Sequence, residues 1–155
     1  MEEPRFLADA MVGRLARFLR MLGYDTADAG DRPDHEIRAR AGAEGRRLLT
    51  RDRALARATP GALLLNRIDL AGQLAQCARA FPPFRTEPRF DRCTRCNGAL
   101  SAEPELLDDP GAAAAGRAAT GPVHRCDRCG QRYWEGSHTA RIRADLARML
   151  EDAGR

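Results

Sequence analysis

Asp34-His-Glu-Ile-Arg-Ala-Arg-Ala-Gly-Ala-Glu-Gly-Arg-Arg-Leu-Leu-Thr-Arg-Asp52 contains two changes of secondary structure, with a carboxylate at each. Pro33 suits the first turn of a helix, Ile37 and Ala41 recur at helical spacing from Asp34, and Gly45 ends the run. Asp34 is therefore expected near the buried stripe of that helix. Arg47-Leu48-Leu49-Thr50 reads as a short buried strand, which places Asp52 just past its carboxyl end, where open α/β sheets collect ligands. Arg5-Phe6-Leu7-Ala8 followed by Asp9 repeats the arrangement. Three carboxylates at convergent element ends suggest a cation site, and hard oxygen donors point to Mg²⁺ or Mn²⁺.

The neighbouring segments extend this pattern. Leu15, Phe18, Leu19 and Leu22 form one apolar helical face that must pack on a sheet, while Arg14, Arg17 and Arg20 line a flank. That flank either faces solvent or grips phosphates beside Asp9. Gly23-Tyr24 breaks the helix, and Asp25-Thr26-Ala27 forms a second strand. Asp28, Asp31, Asp34 and Glu36 make the next stretch acidic, which suits a helix amino end. His35 is read as a surface residue. Arg53 to Arg57 gives a helical turn, Ala62-Leu63-Leu64-Leu65 a fourth buried strand, and Asp69 caps a helix through Ala80 with Cys77 on its core face. Strand and helix alternating four times predict a mostly parallel sheet with helices on both faces.

Pro82-Pro83 cannot continue the preceding helix, so a boundary is expected near residue 85, dividing the chain into residues 1–85 and 86–155. Cys93-x-x-Cys96 and Cys126-x-x-Cys129 are two knuckles, followed by Asn97-Gly98 and by Gly130, where tight turns aim backbone donors at thiolates. Four thiolates at these spacings satisfy a tetrahedral, structural zinc with no open position. The alternatives are disulfides or a thiol redox pair, and neither explains two matched knuckles. The 29 residues between the knuckles exceed the usual ribbon interval, and the Ala-, Gly- and Pro-rich residues 109–122 are expected to form a loop excursion. Tyr133-Trp134 is expected to pack the ribbon against the first unit, with base stacking as the alternative. Ser137 suits the amino cap of a helix over residues 139–152.

With 155 residues the chain has room for one proper core plus a smaller module. Its 43% hydrophobic and 31% charged content is that of an ordinary globular chain. No apolar run approaches the roughly 20 residues a spanning helix needs, and Met1-Glu-Glu-Pro lacks a basic signal start, so a cytoplasmic protein is expected. All 26 basic residues are Arg. Residues 1–90 carry 16 Arg against 12 acids and residues 91–155 carry 10 against 10, so the whole excess of +4 lies in the first part, where a polyanion would bind.

Taken together, strand-Asp9, the Asp34-x-x-Ile37-x-x-x-Ala41 helix start and Leu-Leu-Thr50-Arg51-Asp52 resemble the PIN-type nucleases. Gly13-Arg14-Leu15-Ala16-Arg17-x-Leu19-Arg20-x-Leu22-Gly23-Tyr24 and the two Cys pairs make the chain more closely similar to the Mut-seven carboxy-terminal ribonuclease family, over residues 5–139. The resemblance implies a PIN-like α/β domain with a zinc ribbon and a metal-dependent ribonuclease. Catalysis would then lie with Asp9, Asp34 and Asp52 holding Mg²⁺ or Mn²⁺; because the positive excess lies in residues 1–90 and guanidinium suits phosphate oxygens, RNA is expected to be gripped by Arg14, Arg17 and Arg51. PIN-like sites usually carry a fourth acid, for which Asp31 and Glu36 are the candidates. Gly136-Ser137-His138 matches the family's ending, although Thr139 stands where relatives commonly carry an aromatic residue. Two other readings remain: a non-catalytic adaptor that docks structured RNA through ribbon and Arg face, and a toxin of an antitoxin-controlled pair, which the appended ribbon disfavours.

Overall fold

The structure is a computed structural model that describes residues 2–89, 91–103 and 123–153; the excursion expected over residues 109–122 lies outside the described residues. Four strands, β1 (Phe6–Ala8), β2 (Thr26–Asp28), β3 (Arg47–Thr50) and β4 (Leu63–Leu64), form a parallel sheet in the order β2-β1-β3-β4. Phe6 is in register with Thr26 on one side and Arg47 on the other, so β1 is central. The first crossover runs from β1 to its neighbour β2, and the second jumps back over β1 to β3. The chain therefore reverses direction between β1 and β3, and α/β sheets bind their ligands at such a reversal.

The helices α1 (Gly13–Met21), α2 (Asp34–Glu44), α3 (Arg53–Ala58) and α4 (Leu70–Ala80) divide between the two faces, as alternation along the strands requires. Phe6, Ala8, Leu49 and Leu65 pack with Leu15, Ala16 and Leu19 of α1 and Leu70, Leu74 and Cys77 of α4. On the opposite face Leu7 and Leu48 pack with Ile37 and Ala41 of α2 and Leu55 of α3. Cys77 is a core residue, as its spacing predicted, and burial pushes its thiol up to about 12. Gly45 closes α2 with φ 61°, a left-handed conformation that glycine adopts without a Cβ clash.

A second, antiparallel sheet of β5 (Leu100–Glu103), β6 (Val123–Cys126) and β7 (Arg132–Tyr133) carries the cysteine knuckles. The final helix, α5 (Ser137–Ala153), packs on α4. Leu146 of α5 is fully buried in the same core as α1 and α4, with Ile142, Met149 and Leu150 beside it. The hydrophobic side of α5 therefore extends the core on the α1 and α4 side of the parallel sheet.

The flank of α1 departs from its expected exposure. Arg14 and Arg17 are exposed, but Arg20 is buried. Its Nε donates to the Thr26 carbonyl at 2.8 Å, Nη1 to the Thr94 carbonyl at 3.1 Å, and Nη2 pairs with Asp28 at 2.9 Å. A guanidinium fork can satisfy three acceptors at once, which makes its burial tolerable. The side chain thereby joins α1, the edge strand β2 and the first knuckle. Asn97 makes the same junction from the other side: its Oδ1 accepts from the Thr26 N–H at 2.9 Å and its Nδ2 donates to Asp25 at 2.7 Å. The open edge of β2 is thus capped by the knuckle instead of being left to pair with another chain.

Candidate active site

Asp9 follows β1 and Asp52 follows β3, so the two carboxylates flank the chain reversal. Thr50, fully buried at the end of β3, links them: its hydroxyl donates to Asp9 Oδ2 at 2.7 Å and accepts from the Asp52 N–H at 3.0 Å. Asp9 Oδ1 accepts from the Ala10 N–H at 2.8 Å, which opens the short 3₁₀ turn Ala10–Val12 leading into α1. Asp52 Oδ1 accepts from the Ala54 and Leu55 N–H groups at 2.8 and 3.0 Å, capping α3. Its Oδ2 has no hydrogen-bond partner among the described residues. Each aspartate is fixed by backbone donors, and Thr50 sets their relative position. Sequence reasoning singled out both aspartates but missed the bridging role of Thr50, because a threonine ending a strand reads as an ordinary β-former.

Asp34 is the first residue of α2, exposed, and without a hydrogen-bond or ion-pair partner among the described residues. Because α2 runs from the carboxyl end of β2 to the amino end of β3, Asp34 stands on the same sheet edge as Asp9 and Asp52. No bond ties it to either. Asp28 is engaged by Arg20, and His35, Asp31 and Glu36 are exposed on the same rim. Arg14 and Arg17 are exposed without partners among the described residues. Arg51 is half-buried, and its Nε is enclosed with no hydrogen-bond partner in the described structure.

The second centre is the cysteine quartet. The sulfurs of Cys93, Cys96, Cys126 and Cys129 all lie within 4.8 Å of one another, with Cys93 and Cys129 at 3.6 Å and Cys96 and Cys126 at 3.5 Å. Tetrahedral Zn–S bonds of about 2.3 Å set sulfur atoms ~3.8 Å apart, so the quartet has the dimensions of a zinc site. Among the described residues it is the only group of three or more Cys, His, Asp or Glu gathered in this way, so Asp9, Asp34 and Asp52 are not drawn to ligand distance of one another.

The two knuckles repeat one geometry. Asn97 N–H bonds the Cys93 carbonyl at 2.9 Å, and Gly130 N–H bonds the Cys126 carbonyl at 3.0 Å. The left-handed residues are Asn97 (φ 67°) and Gly130 (φ 76°), so in the first knuckle asparagine and not Gly98 takes the strained position. Gly98 has a different role: a Cβ there would stand 2.7 Å from Cys126 Sγ and 3.3 Å from Cys96 Sγ. Burial acts to raise the Cys93 thiol, but the Tyr133 hydroxyl at 3.0 Å and the N–H groups of Cys96 and Arg95 outweigh it and draw it down to about 6. Burial and the neighbouring sulfurs push Cys96 the other way. Four sulfurs this close cannot all ionise unless a cation balances them, which is the condition a structural metal meets.

A family model, the Mut7-C RNAse domain, matches residues 4–146, from β1 through the ribbon into α5. The chain belongs to the Mut7-C RNAse domain family. No curated protein and no solved structure matches it. The Mut7-C match spans both the sheet edge with its aspartates and the cysteine quartet, so the two centres belong to one family unit. Among the described residues no helix is long and apolar enough to cross a membrane.

Proposed function

We propose that this Mut7-C chain is a metal-dependent ribonuclease that hydrolyses RNA phosphodiester bonds at the carboxyl edge of a PIN-like sheet. The observation that carries the reading is the Thr50 bridge, which orients Asp9 and Asp52 at the chain reversal between β1 and β3. Such positioning of two carboxylates is what a cation-dependent centre needs and what isolated helix caps do not. Asp9, Asp52 and, from the start of α2, Asp34 would hold Mg²⁺ or Mn²⁺, for which their oxygens are suitable donors. A divalent cation bound there supplies an acidified water and offsets charge on the attacked phosphate. The amino ends of α2 and α3, directed at the same edge, add partial positive charge toward an anionic substrate. Arg14, Arg17 and Arg51 would hold the flanking phosphates. In this division of labour residues 1–85 carry the chemistry, while residues 86–155 carry a structural zinc ribbon and α5.

The test is incubation of purified protein with mixed RNAs and Mn²⁺, beside Asp9→Asn and Asp52→Asn. Cleavage by the parent and its loss in both variants is expected. Thermal melts with and without Mn²⁺ supply an independent readout, because a cation that binds the folded state stabilises it by mass action. Mn²⁺ stabilisation that persists unchanged in both variants would place the cation elsewhere. An adaptor would bind RNA without cleaving it, and its binding would be indifferent to these substitutions.

A further inference from the structure

A cavity of about 800 Å³ lies between α1, the ribbon and the start of α5. Five arginines line it, Arg17, Arg20, Arg89, Arg92 and Arg95, against a single acid, Asp28. Arg20, Arg89 and Arg92 are partly neutralised by Asp28, Asp91 and Asp25. Arg17 from α1 and Arg95 from the first knuckle are exposed, and neither has a partner among the described residues. They are the charges left for a ligand. Tyr133 and Trp134 contribute aromatic surface on the ribbon side, and Trp134 is half-buried. The Tyr133 hydroxyl is committed to Cys93 and Thr94, which fixes its ring as part of the wall.

The position of the cavity is as informative as its lining. Gly13, in its lining, begins α1 directly after the turn that Asp9 opens, and Asp28, also in its lining, closes the strand next to β1. The cavity therefore leads from the carboxylate edge toward the ribbon. A cationic groove with aromatic walls is how proteins hold single-stranded nucleic acid, phosphates on the guanidinium groups and bases on the rings. A-form duplex keeps its bases stacked inside and offers none to an aromatic wall.

We propose that this cleft is the binding channel for a single-stranded RNA segment flanking the cut site, with Arg17 and Arg95 on its phosphates and Trp134 stacked on a base. The ribbon then acts as one wall of the substrate channel in addition to its structural part. The inference rests on RNA being the substrate, but its test does not depend on cleavage.

Trp134 is the only tryptophan in the chain, so tryptophan emission, excited beyond the tyrosine absorption band, reports this site alone. Zinc-loaded full-length protein, with no Mg²⁺ or Mn²⁺ added, is titrated with a ten-nucleotide single strand and with a blunt duplex of the same sequence. The single strand should quench and shift the emission, and the duplex should do so at least tenfold more weakly. Labelled-RNA anisotropy then compares variants whose zinc content and melting match the parent. Arg17→Ala and Arg95→Ala should each weaken binding several-fold and reduce the salt slope by about 0.7, as for one phosphate contact on a single strand. Trp134→Phe should keep most of the affinity, whereas Trp134→Leu should lose about fivefold or more. Binding without emission change, equal response to duplex, or unchanged affinity in both arginine variants would overturn the channel, even if Mn²⁺-dependent cleavage is intact. Quenching and arginine dependence without cleavage would sustain the channel and remove the nuclease reading instead.

Discussion

Replacing Thr50 by valine separates the bridge between the two aspartates from everything else at the sheet edge. The side chain is fully buried, and valine has nearly the same shape, so no cavity opens. Two hydrogen bonds go: one to the Asp9 carboxylate at 2.7 Å and one from the Asp52 N–H at 3.0 Å. A bond to a charged group contributes about 1.5–3 kcal/mol and a neutral one about 0.5–1.5 kcal/mol. Asp9 is half-buried, so water repays part of the first loss, and a net cost of about 2 kcal/mol is expected. For a chain of this length that lowers Tm by roughly 4–8 °C. Thr50→Ser keeps the hydroxyl and loses one buried methyl, costing about 1 kcal/mol. Stability alone would barely separate the two variants, so activity is the sharper assay. With Asp9 and Asp52 no longer held together, Mn²⁺-dependent cleavage should fall about 10–100-fold in the valine variant, the usual effect of removing a group that orients metal ligands. The serine variant should stay within about threefold of the parent. Equal activity in parent and Thr50→Val, with a shift in Tm under about 1 °C, would refute the reasoning.

Three further outcomes follow from the geometry. Stripping the metal from the cysteine quartet, or Cys96→Ser or Cys126→Ser, should melt β5 to β7 as one unit while residues 5–80 stay folded, read by zinc release and by amide exchange across the two regions. Gly98→Ala should lower zinc affinity at least tenfold with little effect on the parallel sheet, because its Cβ would intrude 2.7 Å from Cys126 Sγ; a chelator competition measures it. Burial would raise the Asp25 carboxyl, but hydrogen bonds from Arg46 and Asn97 and the charges of Arg46 and Arg92 hold it below its ordinary value. A depressed folded-state pKa gives stability that is complete above the unfolded value near 4 and lost as pH falls through the folded one. Urea midpoints should therefore drop below about pH 4, and less steeply in Asp25→Asn, with Glu44 and Asp69, both also held below their ordinary values, contributing to the slope that remains.

Much of the sheet was legible because its strands are short apolar runs between helices whose faces repeat at helical spacing. Leu48-Leu49 and Ile37/Ala41 show this most plainly, and both cysteine pairs announce themselves by spacing alone. What could not be read were contacts between segments far apart in the chain. Arg20 belongs by pattern to an exposed flank, yet three acceptors from two other segments bury it. Asn97 looks like a knuckle residue and is one, but its side chain also caps the β2 edge some seventy residues away. Thr50 stood within the Leu-Leu-Thr50-Arg51-Asp52 motif, but its bridging role was not legible, because the value of its hydroxyl depends on Asp9, which β1 places beside it. A final helix over residues 139–152 was legible from its Ser137 cap, while its packing on α4 through the side that carries Leu146 was not.

The return of α5 to the parallel sheet makes the ribbon an insertion held at both ends rather than a tail. The junction at Arg85 is fastened to the first core by its N–H on the Tyr24 hydroxyl, and the far junction by Leu146. Loss of the metal therefore turns the ribbon into a closed loop whose ends stay where the fold left them. Closing such a loop again costs only the logarithm of its length, so the knuckles remain at high effective concentration relative to each other. Zinc can come and go without the chain having to find its own topology a second time. A cut inside the ribbon would likewise leave two fragments held together by the packing of α5 on α4.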